Sequence, residues 1–356
     1  MNKLSITSRI NRMISFAGNE FLYFSGTAYL GMCSLPEFEE MIISGLRQYG
    51  SNYGASRFSN VQLDVYEEVE TFFATQAGAE KAAVMSSGFM AGYVTAATLK
   101  SIVDEIWIAP DTHPAIIPDG LWSSTSGTFD QFMEKCIVSS QKLQGKTIAI
   151  LANTVDPLQP AIHSFDWIRD LSDKNAYYLL LDDSHAFGLV GKGIFGTYAS
   201  WKDIPAHLII SGSLGKALGI PAGIILGPAD FIQKITSHPI FIGASPPVPG
   251  YCAAFLSAQE LYAHQQRKLR KNMAHFFSQA RHMKELYFQE NFPVATFKTS
   301  QWADRLKEKQ VLISSFPYLN PQEGPVDRII LSAYHETGDL DKLAKNIKGY
   351  HKQEND

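Results

Sequence analysis

Between residues 60 and 230 two kinds of segment alternate: short apolar runs bounded by small or polar residues, and longer stretches with apolar positions at helical spacing. Strands buried on both faces read as continuous apolar runs, and the helices that connect them are amphipathic, so the alternation predicts βα units around a parallel sheet. Strands are expected at AAVMS (82–86), EIWIA (105–109), KTIAILA (146–152), YYLLLD (177–182), HLIIS (207–211) and GIILG (223–227). Helices are expected at GFMAGYVTAATLK (88–100) and at SFDWIRDLSDK (164–174), the second capped by Ser164. The expected fold class is α/β, a doubly wound, mostly parallel sheet.

The proline-dense segment HPIFIGASPPVPG (238–250) ends this rhythm, and a long helix is expected from Tyr251 to about Tyr287. Beyond it PVATF (293–297), QVLIS (310–314) and DRIILS (327–332) read as strands and DLDKLAKNIKGY (339–350) as a closing helix, a small α+β domain. The expected organisation is an N-terminal arm over 1–45, a large domain over 46–237 and a small C-terminal domain over 238–356.

Composition narrows the class. With 356 residues, 45% hydrophobic, 19% charged and a net charge of -4, the chain has no electrostatic basis for coating nucleic acid. Cys33, Cys136 and Cys252 stand apart, without a CxxC pair, so neither a disulfide framework nor a metal site is expected. No apolar stretch approaches the ~20 residues of a membrane span. The opening MNKLSITSRINRM lacks a secretory core; it reads as an amphipathic arm, with a faint likeness to a transit peptide, and a cytoplasmic setting is expected.

Three loops carry candidate chemistry. The run YYLLLDDSHAFG delivers Asp182, Asp183, Ser184 and His185 to the carboxyl end of a strand, where open α/β sheets bind ligands. Taken alone, these acids also suit an ordinary turn cap. In HLIISGSLGKALG a strand ends in a small-residue loop presenting Lys216; a lysine used for imine chemistry needs a desolvated, partly deprotonated amine. Lys192, in the glycine-rich turn GLVGKG, is the rival. In VMSSGFMAGY, Ser86, Ser87 and Gly88 lead into a helix whose first N–H groups can receive an anion, or simply be capped.

In chain order these loops, with His113 and Arg328, resemble the pyridoxal-phosphate enzymes of the aspartate-aminotransferase fold. More narrowly the chain resembles the α-oxoamine synthases, on SNYGASRF with LDVYEEVE (51–70), SSGFMAG (86–92), DTHPAIIPDG (111–120), LDDSHAFGLVGKG (181–193), SGSLGKALG (211–219) and RIILSAYHETGDLDKL (328–343). The resemblance implies pyridoxal 5'-phosphate held as an imine by Lys216. Asp182 would hold the pyridine nitrogen, His113 would stack on the ring, and His185 would lie near the phenolic oxygen. Ser87, Gly88, Phe89 and Ser213 would bind the phosphate, and Arg328, with Thr27, the substrate carboxylate. Ser245, in FIGASPPVPG, would reach a neighbouring subunit's phosphate in a homodimer with shared sites.

The implied reaction joins a small amino acid to an acyl-CoA with loss of carbon dioxide. Transamination and a non-catalytic cofactor-binding role remain alternatives. The chain departs from the family pattern at Thr27, Val61, Tyr66, Gly92 and the Asn153 segment, which leaves the acyl donor open.

Overall fold

The computed structural model describes residues 4–121, 127–317 and 324–353. The chain forms two compact units, one of Glu40–Asp156 with Ile162–Gln259 and one of Met1–Glu39, Pro157–Ala161 and Glu260–Asp356. It opens with the hairpin β1 (Met13–Phe16) and β2 (Asn19–Phe24), followed by helix α1 (Pro36–Tyr49).

The larger unit continues through α2 (Asp64–Ala77), β3 (Lys81–Met85), α3 (Gly88–Lys100), β4 (Glu105–Ile108), α4 (Phe129–Ser140) and β5 (Thr147–Asn153). The short pair β6 (Val155–Asp156) and β7 (Ala161–Ile162) precedes β8 (Ala176–Asp182), α5 (Tyr198–Trp201), β9 (His207–Ser213) and β10 (Gly223–Gly227). Helices α6 (Ala229–Thr236), α7 (Pro239–Gly243) and α8 (Pro249–Ser257) complete it. Its six-stranded sheet has the order β3-β10-β9-β8-β5-β4.

Neighbours from β9 through β4 are parallel, whereas β10 runs antiparallel to both β3 and β9. The doubly wound, mostly parallel α/β class follows, with Ile150, Leu151, Leu180, Ile209 and Ile225 wholly buried between the helical layers. Register aligns the strand ends: Asn153 lies opposite Asp182, and Asp182 opposite Ser211. Reversal of β10 brings Gly223, at its start, beside the ends of both β3 and β9.

The smaller unit holds α9 (Gln259–Ala280), β11 (Leu286–Phe288), β12 (Val294–Phe297), α10 (Trp302–Lys307), β13 (Val311–Phe316), β14 (Val326–Ile330) and α11 (Thr337–Gln353). Its sheet order is β1-β2-β13-β14-β12-β11. The expected N-terminal arm is therefore in part a sheet component, since β2 pairs in parallel with β13 and buries Leu22 and Phe24.

Two expected helices differ. Residues 164–174 make only a short 3-10 turn, Asp166–Asp170. The buried residues Phe165, Ile168 and Leu171 recur every third position, which matches three residues per turn rather than 3.6. The long helix expected from Tyr251 breaks at Ala258 into α8 and α9, and Tyr287 lies in β11. The units divide at this break, since α8 packs on α2 within the larger one.

Candidate active site

Strand β8 delivers both acidic residues, but the fold uses them differently. Asp183 is fully buried and accepts hydrogen bonds from Thr154 Oγ1, from Thr197 N at 2.7 Å and from Thr197 Oγ1 at 2.9 Å. Burial pushes its carboxyl up to about 6 against those bonds. Asp182 Oδ1 accepts from Ser184 N at 2.7 Å, while Oδ2 lies 3.9 Å from His113 Nδ1. Asp183 is thus occupied by the protein, and Asp182 is the carboxylate turned toward other site groups. His185, half-buried, follows in the same strand-end turn.

His113 stands beyond the end of β4. Its backbone N–H donates to Asn153 Oδ1 at 3.0 Å, and the Asn153 amide donates to the carbonyl of Asp111. His113 Nδ1 accepts the N–H of Ala115 at 3.1 Å, which places the proton of a neutral ring on Nε2. Burial, aided by Lys216 and opposed by Asp182, lowers its pKa and favours that neutral ring. Asn153, a departure from the family pattern, thereby fixes the segment that carries His113. Gly92, another departure, permits close packing, since a Cβ there would meet the carbonyl oxygen of Ala115 at 2.7 Å.

Lys216 sits in the tight loop between β9 and β10, closed by Leu214 N to Ala222 O at 2.9 Å and Ile220 N to Leu214 O at 3.0 Å. Burial lowers its amine to about 8, with Asp182 opposing the shift. The rival Lys192 is exposed. Asp182, His113 and Lys216, from three strand ends, therefore lie within mutual electrostatic reach.

The expected phosphate loop adjoins them. Ser87 Oγ caps α3 by accepting Met90 N at 3.2 Å, and the first helical bond runs from Ala91 N to Ser87 O, so Gly88 and Phe89 N–H precede the ladder. A Cβ on Gly88 would stand 2.5 Å from Ser213 Cα, and one on Gly223 2.2 Å from Ser87 O. Main chain meets main chain there, so the α3 N-terminus and the Ser213 end of β9 form one cradle. Ser213 is half-buried, with its Oγ accepting Gly215 N at 3.1 Å, and Phe89 is exposed. An anion-receptive helix start, a desolvated lysine and a carboxylate at one sheet end are the donor set pyridoxal phosphate requires, and these residues fit it.

The other expected residues are carried by other segments. Ser245 is exposed on the segment after α7, which is tied down where Tyr66 O–H donates to Pro247 O at 2.8 Å. Tyr66 is buried, with the Arg57 guanidinium over its ring and Arg57 paired to Glu70 at 2.8 Å, so this departure acts as an anchor. Arg328 and Thr27 belong to the smaller unit. Arg328 is buried in β14 and donates to Pro157 O at 3.2 Å and Ser314 Oγ at 3.3 Å. Thr27 lies in a bend held where Ser332 Oγ donates to Ala28 O at 2.6 Å.

The family model for class I and II aminotransferases matches residues 11–347. The 8-amino-7-oxononanoate synthase of Hydrogenovibrio crunogenus is 26% identical over 363 residues, 96% of this chain and 90% of that one. Among solved structures, serine palmitoyltransferase from S. paucimobilis superposes with a TM-score of 0.81 at 15% identity, covering 98% of this chain and 92% of that one. The 8-amino-7-oxononanoate synthase of Francisella tularensis gives 0.72 at 20% identity, covering 94% and 99%. Fold and strand-end chemistry together define a pyridoxal-phosphate-dependent transferase of fold type I. The chain belongs to the class I and II aminotransferase family and is similar, within it, to enzymes of the α-oxoamine synthase group.

A pH dependence follows from the lowered amine. Recombination of cofactor-free protein with pyridoxal phosphate requires neutral Lys216, so its rate should climb about tenfold per pH unit and level off above about pH 8. Stopped-flow absorbance across pH 6–10 reads this, and a profile still rising at pH 10 would contradict the desolvated amine.

Proposed function

We propose that the protein condenses a small amino acid with an acyl-CoA thioester, releasing carbon dioxide and free thiol. The observation that carries the reading is the convergence of Lys216, Asp182 and His113 at one sheet end beside the α3 cradle. Bound pyridoxal phosphate supplies an electron sink for charge developing at the amino acid α-carbon. Lys216 Nζ anchors the cofactor and moves the proton of that carbon, a role its pKa of about 8 suits near neutral pH. Asp182 keeps a proton on the pyridine nitrogen by its negative charge. His113, as a neutral ring, would pack against the cofactor ring, and His185 would serve near the reacting centre. Ser87, Gly88, Phe89 and Ser213 hold the phosphate. Arg328, a planar fork already oriented by Pro157 and Ser314, grips the substrate carboxylate with Thr27 beside it.

The same reading includes a homodimer in which Ser245 completes a partner's phosphate site. Ser245 is exposed on its anchored loop, and the larger unit also leaves Phe58 and Val61 71% and 65% exposed. A cytoplasmic setting belongs to it as well; no described helix is long and apolar enough to cross a membrane.

Product analysis tests the reaction. Equal release of thiol and carbon dioxide from an amino acid and an acyl-CoA is expected. Keto-acid-dependent amino exchange would instead make the protein an aminotransferase, and cofactor absorbance without turnover would make it a binding protein.

A further inference from the structure

We propose that Ser184 is a positioning residue that sets the span between the Asp182 carboxylate and the phosphate cradle, and thereby makes the site prefer a phosphorylated pyridoxal over the unphosphorylated one. The inference rests on the cofactor-site reading and adds to it a residue that acts through its neighbours. Ser184 is 7% exposed and follows Asp182 and Asp183 in the turn after β8. Its backbone N–H donates to Asp182 Oδ1 at 2.7 Å, which leaves Oδ2 as the oxygen on the His113 side. Its hydroxyl oxygen accepts the N–H of Ser213 at 2.8 Å. One residue therefore holds a group assigned to the pyridine nitrogen and a group assigned to the phosphate.

Strands β8 and β9 pair as far as Asp182 with Ser211, and Asp183 N still donates to Ser211 O at 2.9 Å. Ser213 N, two residues further along β9, finds a side-chain oxygen instead of a carbonyl. Gly212 lets the two strand ends close on one another, since a Cβ there would stand 2.7 Å from Ser184 N and 3.1 Å from the carbonyl carbon of Asp183. Ser213 is also the residue against which Gly88 packs, a Cβ on Gly88 standing 2.6 Å from Ser213 N. The Ser184 hydroxyl thus fixes the stretch of main chain on which the α3 N-terminus rests.

Removing that hydroxyl leaves the Ser213 N–H without its acceptor, at a cost in free energy. In the free protein the end of β9 relieves this cost by turning the N–H toward water, and a phosphate must then draw the main chain back. A ligand without phosphate makes no such demand. Asp182 keeps its hydrogen bond in either case, because that bond uses the main chain of residue 184. The substitution therefore separates the two ends of the site: phosphate recognition weakens and ring recognition does not.

Equilibrium titration of the cofactor-free chain with pyridoxal 5'-phosphate and with pyridoxal, read by intrinsic fluorescence, tests this directly. Ser184→Ala is expected to weaken pyridoxal 5'-phosphate binding by about tenfold and to leave pyridoxal binding unchanged, so that the ratio of the two affinities falls by the same factor. Ser184→Cys, a weaker acceptor of similar size, should fall between, and it gives the readout alone if the alanine variant does not fold. Equal losses for both ligands, or no loss for either, would overturn the assignment. Ser213→Ala tests the cradle reading separately: an unchanged ratio there would remove the Ser213 side chain from phosphate binding, while the ratio in Ser184→Ala still decides the role of Ser184.

Discussion

Replacing Lys216 by alanine is expected to abolish borohydride-fixable cofactor and to reduce turnover by at least about 10²–10⁴-fold, the usual contribution of a lost acid–base group. The same change on exposed Lys192 should leave both unaltered. Folding should not suffer. The buried amine has a pKa of about 8 against 10.5 when unperturbed, so its protonated form is disfavoured in the folded state. That penalty is fully present below about pH 8, fades toward 10.5 and is absent above. At pH 7 the cofactor-free alanine variant should therefore melt no lower than cofactor-free wild type. Calorimetry and borohydride trapping read the two effects separately; a trapped adduct on Lys192 would reassign the anchor.

The paired acids give the second large effect. Asp182→Asn keeps an oxygen for the Ser184 N–H but loses the charge, so the variant should fold and bind cofactor while turnover falls by about 10²–10³-fold. Asp183→Asn presents an amide to the Thr154 and Thr197 donors in a fully buried place, and should cost about 1–3 kcal/mol of stability. Urea unfolding and steady-state kinetics on both variants distinguish the roles. Near wild-type turnover in Asp182→Asn would move the catalytic charge elsewhere.

The sheet is legible in the sequence because β3, β5, β8, β9 and β10 are largely buried on both faces and read as continuous apolar runs. Helix α4 escapes a reading by apolar spacing, although Thr128 and Gln131 form a capping box that the sequence does display. The 3-10 turn at 166–170 reads as a helix because a third-residue spacing resembles a 3.6 period over so short a run. Lys216, Asp182 and His113 can be found through their strand ends and the family pattern. What the pattern does not show is the division of labour between Asp182 and Asp183, which depends on Thr154 and Thr197 folding back from distant segments. Nor does it show Asn153 bracing His113, since an asparagine at a strand end has no distinctive spacing.

The contacts of Gly88 with Ser213 and of Gly223 with Ser87 join three stretches of main chain without an intervening side chain. Variation at these glycines is closed to gradual change, since even one carbon requires backbone displacement on two sides at once. A lineage under pressure to alter its chemistry would be channelled toward positions outside this cradle, where side chains can be exchanged without moving the backbone. Anchor and specificity would then drift at different tempos along a single polypeptide.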